Sequence, residues 1–114
     1  MLTLYGIPNC DTVKKARAWL DGHALPYRFH DFRRDGLPEP LVRAWAEELG
    51  WEALLNRRGT TWRKLPPERR EALDKDGAVR LMLEFPSVIR RPLLDTGDAL
   101  RLGFSEALYL ETLG

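Results

Sequence analysis

The chain has 114 residues, of which 44% are hydrophobic and 31% charged, and its formal net charge is +1. These values predict one soluble domain, residues 1–114. The near-neutral charge does not indicate a surface that binds nucleic acid. The sequence also contains no run of about 20 apolar residues, the length of a membrane-spanning helix. The N-terminus lacks a basic region followed by a long apolar run, so we expect no signal peptide. A single cysteine excludes an internal disulfide and a cysteine-rich metal site, and His23 and His30 lack metal-ligand spacing. We therefore expect no bound metal and a reducing, cytoplasmic compartment.

The first thirty residues predict a strand, a helix and a second strand. "LTLY" (2–5) alternates apolar and β-prone residues, and "GIPN" after it is typical of a turn. From Asp11 to about Gly22 the apolar residues recur at helical spacing. "PYRFHDF" (26–32) alternates again, so we expect a βαβ unit whose two strands are parallel.

The middle of the chain predicts a helical insert over about residues 37–85. "LPEPLVRAWAEELG" (37–50) begins with proline and acidic residues and ends at glycine, as helices do. "PPERREALDK" (66–75) and "DGAVRLMLEFP" (76–86) predict two shorter helices, separated at Asp76-Gly77.

The end of the chain predicts a hairpin and a helix. "RRPLLDTGDALRLGF" (90–104) has strand-like runs on either side of Thr96-Gly97-Asp98, which is typical of a turn. "SEALYLETL" (105–113) predicts a closing helix capped by Ser105. The expected order is therefore βαβ, helical insert, ββα.

The one cysteine, Cys10, falls where the first strand gives way to the first helix. Helix N-termini present unpaired N–H groups and the positive end of the helix dipole, and both stabilise a thiolate. A free cysteine is also often a small buried hydrophobe, but this position favours a reactive thiol. Thr12 could donate its hydroxyl to the thiolate or cap the helix. Asn9 could orient the loop or touch substrate.

The chain resembles the arsenate reductase (ArsC)/Spx family, in particular its YffB-like members. The resemblance rests on stretches spread over nearly the whole chain: "YGIPNCDTVKKARAWL" (5–20), "YRFHDFRRDGL" (27–37), "LGWEALLNRRGTTWRKL" (49–65), "PSVIRRPLL" (86–94) and "GFSEALY" (103–109). It implies an α/β, thioredoxin-like fold with a mixed four-stranded sheet, and a nucleophilic Cys10. It also implies that Pro92 is a cis-proline facing the cysteine, next to backbone that pairs with a bound peptide such as glutathione.

The arginines limit how far the resemblance extends. Reductases of this family hold an oxyanion with a cysteine and three arginines. Arg58, with Arg57 as the alternative, matches the first arginine and Arg91 the second. The third falls near Gly103, where this chain has none, and Arg101 is expected to point elsewhere. Spx-type regulators usually carry Cys-x-x-Cys, whereas this chain reads "CDTV".

The resemblance therefore implies a glutathione-dependent thiol-disulfide reductase that acts through a mixed disulfide. Its catalytic residues would be Cys10, Arg58 and Arg91, and its substrate-binding residues Asn9, Thr12, Arg57 and Pro92. We expect no bound cofactor, with glutathione as the co-substrate. The other partner would be a small-molecule or protein disulfide. The protein is expected to be a monomer. The alternatives are a glutathione-coupled arsenate reductase and an Spx-like protein that binds RNA polymerase.

Overall fold

The computed structural model describes residues 1–71 and 73–114, which divide into two compact units. A sheet unit comprises Met1–Asp35 and Arg91–Gly114, and a helical unit comprises Gly36–Arg90. The assignment of residues 1–114 to one domain, with an insert over about 37–85, stays a prediction.

The elements follow the predicted order of a βαβ unit, a run of helices and a ββα unit. In chain order they are β1 (Leu2–Gly6), α1 (Asp11–Gly22), β2 (Tyr27–Asp31), α2 (Glu39–Leu49), α3 (Trp51–Leu54), α4 (Thr60–Lys64), α5 (Pro67–Arg70), α6 (Lys75–Glu84), a 3-10 turn (Pro86–Val88), β3 (Leu93–Asp95), β4 (Leu100–Leu102) and α7 (Glu106–Leu113). No helix in the described part of the chain is long and apolar enough to cross a membrane.

The sheet unit is built on four strands in the order β2-β1-β3-β4. β1 runs parallel to β2 and antiparallel to β3, which is itself antiparallel to β4. The mixed four-stranded sheet and the parallel first pair of strands are therefore confirmed. The hairpin is confirmed as well, and so is the closing helix, where the Ser105 hydroxyl accepts from the Leu108 N–H at 3.0 Å.

The core of the sheet unit forms where α1 packs on β1 and β3. Val13, Ala16 and Leu20 are fully buried, and their spacing places them along one side of the helix. Ala16 and Leu20 join one apolar cluster with Leu4, Leu94 and Tyr109. The apolar spacing of the sequence thus fixes which side of α1 faces the sheet.

In the helical unit α2 packs against α6, each through an apolar side. Val42 and Trp45 of α2 and Val79 and Met82 of α6 are at most 1% exposed. At the surface, Arg43 of α2 pairs with Asp76 at 2.7 Å and with its helix neighbour Glu39 at 2.8 Å. Exposed pairs of this kind add little stability, so the buried side chains hold the two helices together.

The predicted break at Asp76-Gly77 is wrong. Both residues lie in the first turn of α6, whose N-cap is Asp74. The Asp74 carboxylate accepts from the Gly77 N–H at 2.7 Å, and this cap starts the helix before the glycine is reached. The helix expected over 66–75 is described only at Pro67–Arg70, and Ala72 lies outside the described residues. The short α3 and α4 were not predicted.

Candidate active site

Three segments meet the sheet at the same end, and two of them carry predicted site residues. Tyr5, near the end of β1, pairs with Leu93 at the start of β3, and Leu93 pairs with Leu102 at the end of β4. Three segments therefore lie at one end of the sheet: the loop after β1, the residues before β3 and the residues after β4. Cys10 and Arg91-Pro92 belong to the first two segments.

Cys10 is the N-cap residue of α1. Its backbone is extended (φ −137°, ψ 125°), and its carbonyl accepts from the Lys14 N–H at 2.9 Å. The side chain is a free, half-buried thiol that makes no capping hydrogen bond. The Cys10 side chain therefore does not cap the N–H groups of the first turn. These groups can stabilise negative charge near the sulfur.

Close packing between Gly6 and Val13 fixes where α1 begins. A Cβ atom on Gly6 would lie 2.8 Å from Cγ2 of Val13, so only glycine allows the helix to approach the strand this closely. The Gly6 carbonyl also accepts from the Phe32 N–H at 2.9 Å, which extends the pairing with β2. These contacts hold the first turn of α1, and with it Cys10, at the end of β1.

The Arg91-Pro92 bond is cis, which confirms the expectation from the resemblance. Pro92 is buried, Arg91 is half-buried, and the Pro92 carbonyl accepts from the Gly103 N–H at 2.9 Å. Gly103 has a φ of +77°, in the left-handed region. The Arg101 guanidinium donates to the carbonyl of its chain neighbour Leu100 at 2.9 Å.

Tyr5 and His30 form an aromatic pair on neighbouring strands. Their ring centroids lie 4.9 Å apart with the planes tilted by 44°. Burial and then the nearby Asp95 carboxylate raise the pKa of the Tyr5 phenol, while Arg28 acts weakly in the opposite direction. Tyr5 is therefore a neutral phenol at physiological pH and adds no charge to this part of the sheet.

The other predicted arginines, Arg57 and Arg58, lie in the helical unit. Both are exposed and follow Asn56, whose side-chain oxygen accepts from the Arg58 N–H at 3.3 Å. The Arg57 guanidinium carbon lies 5.8 Å from the ring centroid of Trp62. The choice between Arg57 and Arg58 as the residue that faces the thiol stays a prediction.

The structure places the remaining predicted residues in the sheet unit. Asn9 is exposed and Thr12 is half-buried in the first turn of α1. Thr12 does not supply the N-cap, because Cys10 occupies that position. Whether Asn9 and Thr12 touch a substrate stays a prediction, as do the roles of the cysteine and the arginines.

Sequence reasoning missed Arg90, which lines a cavity in the helical unit together with Arg57 and Arg58. The sequence signal for Arg90 is its place beside Arg91, because two adjacent arginines are both candidates for binding an anion. In the described part of the chain, no group of three His, Cys, Asp or Glu side chains is arranged to hold a metal ion.

The chain is similar to known proteins over nearly its whole length. A family model described as the ArsC family matches residues 5–112. An uncharacterized protein of Haemophilus influenzae is 44% identical over 110 residues, 96% of each chain. The global transcriptional regulator Spx of Enterococcus faecalis is 32% identical over 108 residues, 93% of this chain and 81% of that one. The solved YFFB protein superposes with a TM-score of 0.96, at 45% identity and full coverage of both chains.

Proposed function

Because the chain belongs to the ArsC family, we propose that it is a glutathione-dependent thiol-disulfide reductase with Cys10 as its nucleophile. One observation carries the proposal: the only cysteine of the chain caps α1 at the sheet end that also bears Arg91-Pro92. With no second cysteine in the chain, the thiol that releases Cys10 comes from outside. Glutathione is the abundant thiol of the cytoplasm, where we place the reaction.

The proposed reaction consists of two thiol-disulfide exchanges. The Cys10 thiolate attacks the glutathione sulfur of a mixed disulfide, so a Cys10–glutathione disulfide forms and the substrate leaves as a thiolate that takes up a proton. The thiolate of a second glutathione then attacks the glutathione sulfur held by Cys10. This step regenerates the Cys10 thiolate and releases oxidised glutathione. The sum converts the mixed disulfide and one reduced glutathione into the substrate thiol and oxidised glutathione, so one free glutathione thiol is consumed per turnover.

Residues of the sheet unit supply the proposed contacts. The first-turn N–H groups of α1 stabilise the negative charge that the Cys10 sulfur carries when it attacks and when it leaves. Arg91 binds a carboxylate of glutathione through the planar guanidinium fork. The extended backbone before β3 pairs with the peptide in the manner of an added strand. Asn9 and Thr12, which flank Cys10 in the chain, complete the proposed binding surface.

The test is mass spectrometry of the intact protein after incubation with oxidised glutathione. We expect one glutathione adduct on the wild-type protein, removed by excess reduced glutathione, and no adduct on the Cys10→Ser variant. Turnover of a glutathione mixed disulfide should likewise be lost in Cys10→Ser, while the thermal unfolding midpoint stays nearly unchanged. A wild-type protein that forms no adduct and shows no turnover would refute the proposal.

Two alternatives are separated by further arms of the same experiment. Arsenate turnover with glutathione that exceeds disulfide reduction would favour an arsenate reductase. The glycine at position 103, near the third family arginine, argues against that outcome. Similarity to Spx favours a regulator, which would co-purify with RNA polymerase and show neither reductase activity. The absence of a Cys-x-x-Cys pair argues against a disulfide-switched regulator of this type.

A further inference from the structure

A cavity of about 440 Å³ in the helical unit is lined by three guanidiniums. Its walls are Glu52, Leu55, Asn56, Arg57, Arg58 and Arg90. This volume falls within the range of small-molecule sites, and most of the wall is polar or charged. Cys10 and Arg91 are not among the lining residues.

The backbone that carries the three arginines is fixed by short hydrogen bonds. Leu55 and Ile89 form an isolated antiparallel bridge, in which the Asn56 N–H donates to Val88 and the Arg90 N–H donates to Leu54, each at 2.7 Å. The apolar residues of this bridge are buried, at 0 to 4% exposure. The backbone at Asn56 and Arg90 is therefore held in place, and the three exposed arginine side chains extend from it and from the loop that follows.

Two further contacts restrict the loop between the bridge and α4. The Asn56 side chain accepts from the Arg58 N–H at 3.3 Å, which closes a tight turn at this point. The Arg57 guanidinium lies over the Trp62 ring, with 5.8 Å from its central carbon to the ring centroid. Preorganised guanidiniums lose less entropy when they bind a ligand than freely rotating ones do.

The three guanidiniums of the cavity take part in none of the ion pairs described within residues 1–71 and 73–114. The cations of those pairs are Arg34, Arg43, Arg69 and Lys75. Glu52 is the single acidic residue of the lining, so the wall carries a net charge of +2. A guanidinium binds carboxylate or phosphoryl oxygens in pairs through its planar fork.

We propose that this cavity binds a small polyanion with two or more carboxylate or phosphoryl groups. Arg57, Arg58 and Arg90 supply the forks, and Glu52 weakens the binding of any anion by repulsion. Arg57 and Arg58 are also the two candidates for the first family arginine, but Arg90 and Glu52 are not part of the reductase assignment, and the site does not use the thiol. The Cys10→Ser variant should bind the same anions as the wild-type protein.

The experiment is isothermal titration of the full chain with citrate and, separately, with pyrophosphate, at low ionic strength. We expect saturable binding of at least one probe with a Kd of about 1 mM or lower. Arg90→Gln and Arg57→Gln should each weaken that binding about tenfold, whereas Glu52→Gln should strengthen it. Arg63→Gln is the matched control, because it removes an exposed charge of α4 that does not line the cavity.

The two probes separate the sources of the anion. Preference for citrate would point to a polycarboxylate ligand and preference for pyrophosphate to a phosphorylated one. The proposal is overturned if neither probe binds, or if Arg63→Gln weakens binding as much as Arg90→Gln does. It is also overturned if Glu52→Gln leaves affinity unchanged. If the wild-type protein binds the anion but its Cys10 does not react with oxidised glutathione, only the reductase proposal is refuted.

Discussion

The backbone N–H of Gly103 donates to the carbonyl of Pro92 at 2.9 Å, while Gly103 itself holds a φ of +77°. The bond joins the residue after β4 to the residue before β3. Because L-residues with a side chain are strained at this φ, the position strongly favours glycine. Gly103, near which the resemblance puts the third family arginine, thus has a backbone role in this chain.

Gly103→Arg should therefore destabilise the protein by about 1–2 kcal/mol, the approximate cost of left-handed backbone for an L-residue. Gly103→Asn should cost less, since asparagine tolerates this conformation better. Urea unfolding of both variants beside the wild type measures the difference. Equal stability of Gly103→Arg and the wild type would contradict the strain argument. In that case the variant could be used directly to test whether a third arginine brings arsenate turnover.

Gly6→Ala should destabilise the protein by about 1–3 kcal/mol, the usual cost of overpacking a core. The added methyl would lie 2.8 Å from Cγ2 of Val13, so the helix start has to move. Combining Gly6→Ala with Val13→Ala removes the clash, and the double variant should be more stable than the two single losses predict. Denaturant unfolding of all four proteins completes the cycle. Strict additivity would show that the two residues do not interact.

Tyr109 should make the protein sensitive to alkali. It is fully buried, its hydroxyl has no hydrogen-bond partner among the described residues, and burial strongly raises the pKa of its phenol. Above the ordinary tyrosine pKa of about 10 the unfolded chain releases this proton while the folded chain keeps it. Stability is therefore retained below about pH 10 and falls as the pH rises further.

Tyr109→Phe should flatten this alkaline decline and, by removing an unpaired buried hydroxyl, leave stability at pH 7 equal or higher. Thermal unfolding midpoints from pH 7 to about pH 11 for wild type and variant provide the measurement. Tyr5→Phe is a useful comparison, because the pKa of Tyr5 is raised as well. A decline of the same slope in Tyr109→Phe and wild type would rule out Tyr109 as its source.

Arg91→Ala should weaken glutathione binding about ten- to a hundredfold, through loss of a charge-assisted contact of about 1.5–3 kcal/mol. Arg91→Lys should restore only part of the affinity, since an ammonium keeps the charge but lacks the fork. Titration with S-methylglutathione avoids exchange at Cys10. Arg33→Ala, an exposed arginine of the same unit, is the control. If both alanine variants bind equally well, Arg91 does not hold a carboxylate.

Local patterns in the sequence were enough to predict most of the fold. Strand β1 is predicted by apolar alternation and helix α1 by the spacing of Val13, Ala16 and Leu20. Both patterns are visible among residues that are close in the sequence. The structure confirms the strand and the helix. The start of α6 was misplaced because Gly77 resembles a helix break. The Asp74 cap that outweighs it becomes decisive only once the helix has formed.

The site was less accessible from sequence because its geometry depends on residues far apart in the chain. Gly6 could be recognised as part of a turn, but its close approach to Val13 is visible only in the folded protein. The left-handed backbone of Gly103 depends in the same way on the strands beside it. Arg90 and Arg57 line the same cavity because a β-bridge joins two segments that are far apart in the sequence. No periodic pattern in the sequence predicts that bridge.

The central position of β1 also bears on how the protein is synthesised. β1 pairs with β2 on one side, from residues that follow soon after it, but its other edge pairs residue 3 with residue 95. During translation that edge stays open until the helical unit has been made and β3 has left the ribosome. An exposed strand edge is a site of aggregation, and so distant a pairing closes slowly. For most of its synthesis, the nascent chain therefore carries a strand edge whose partner has not yet been made.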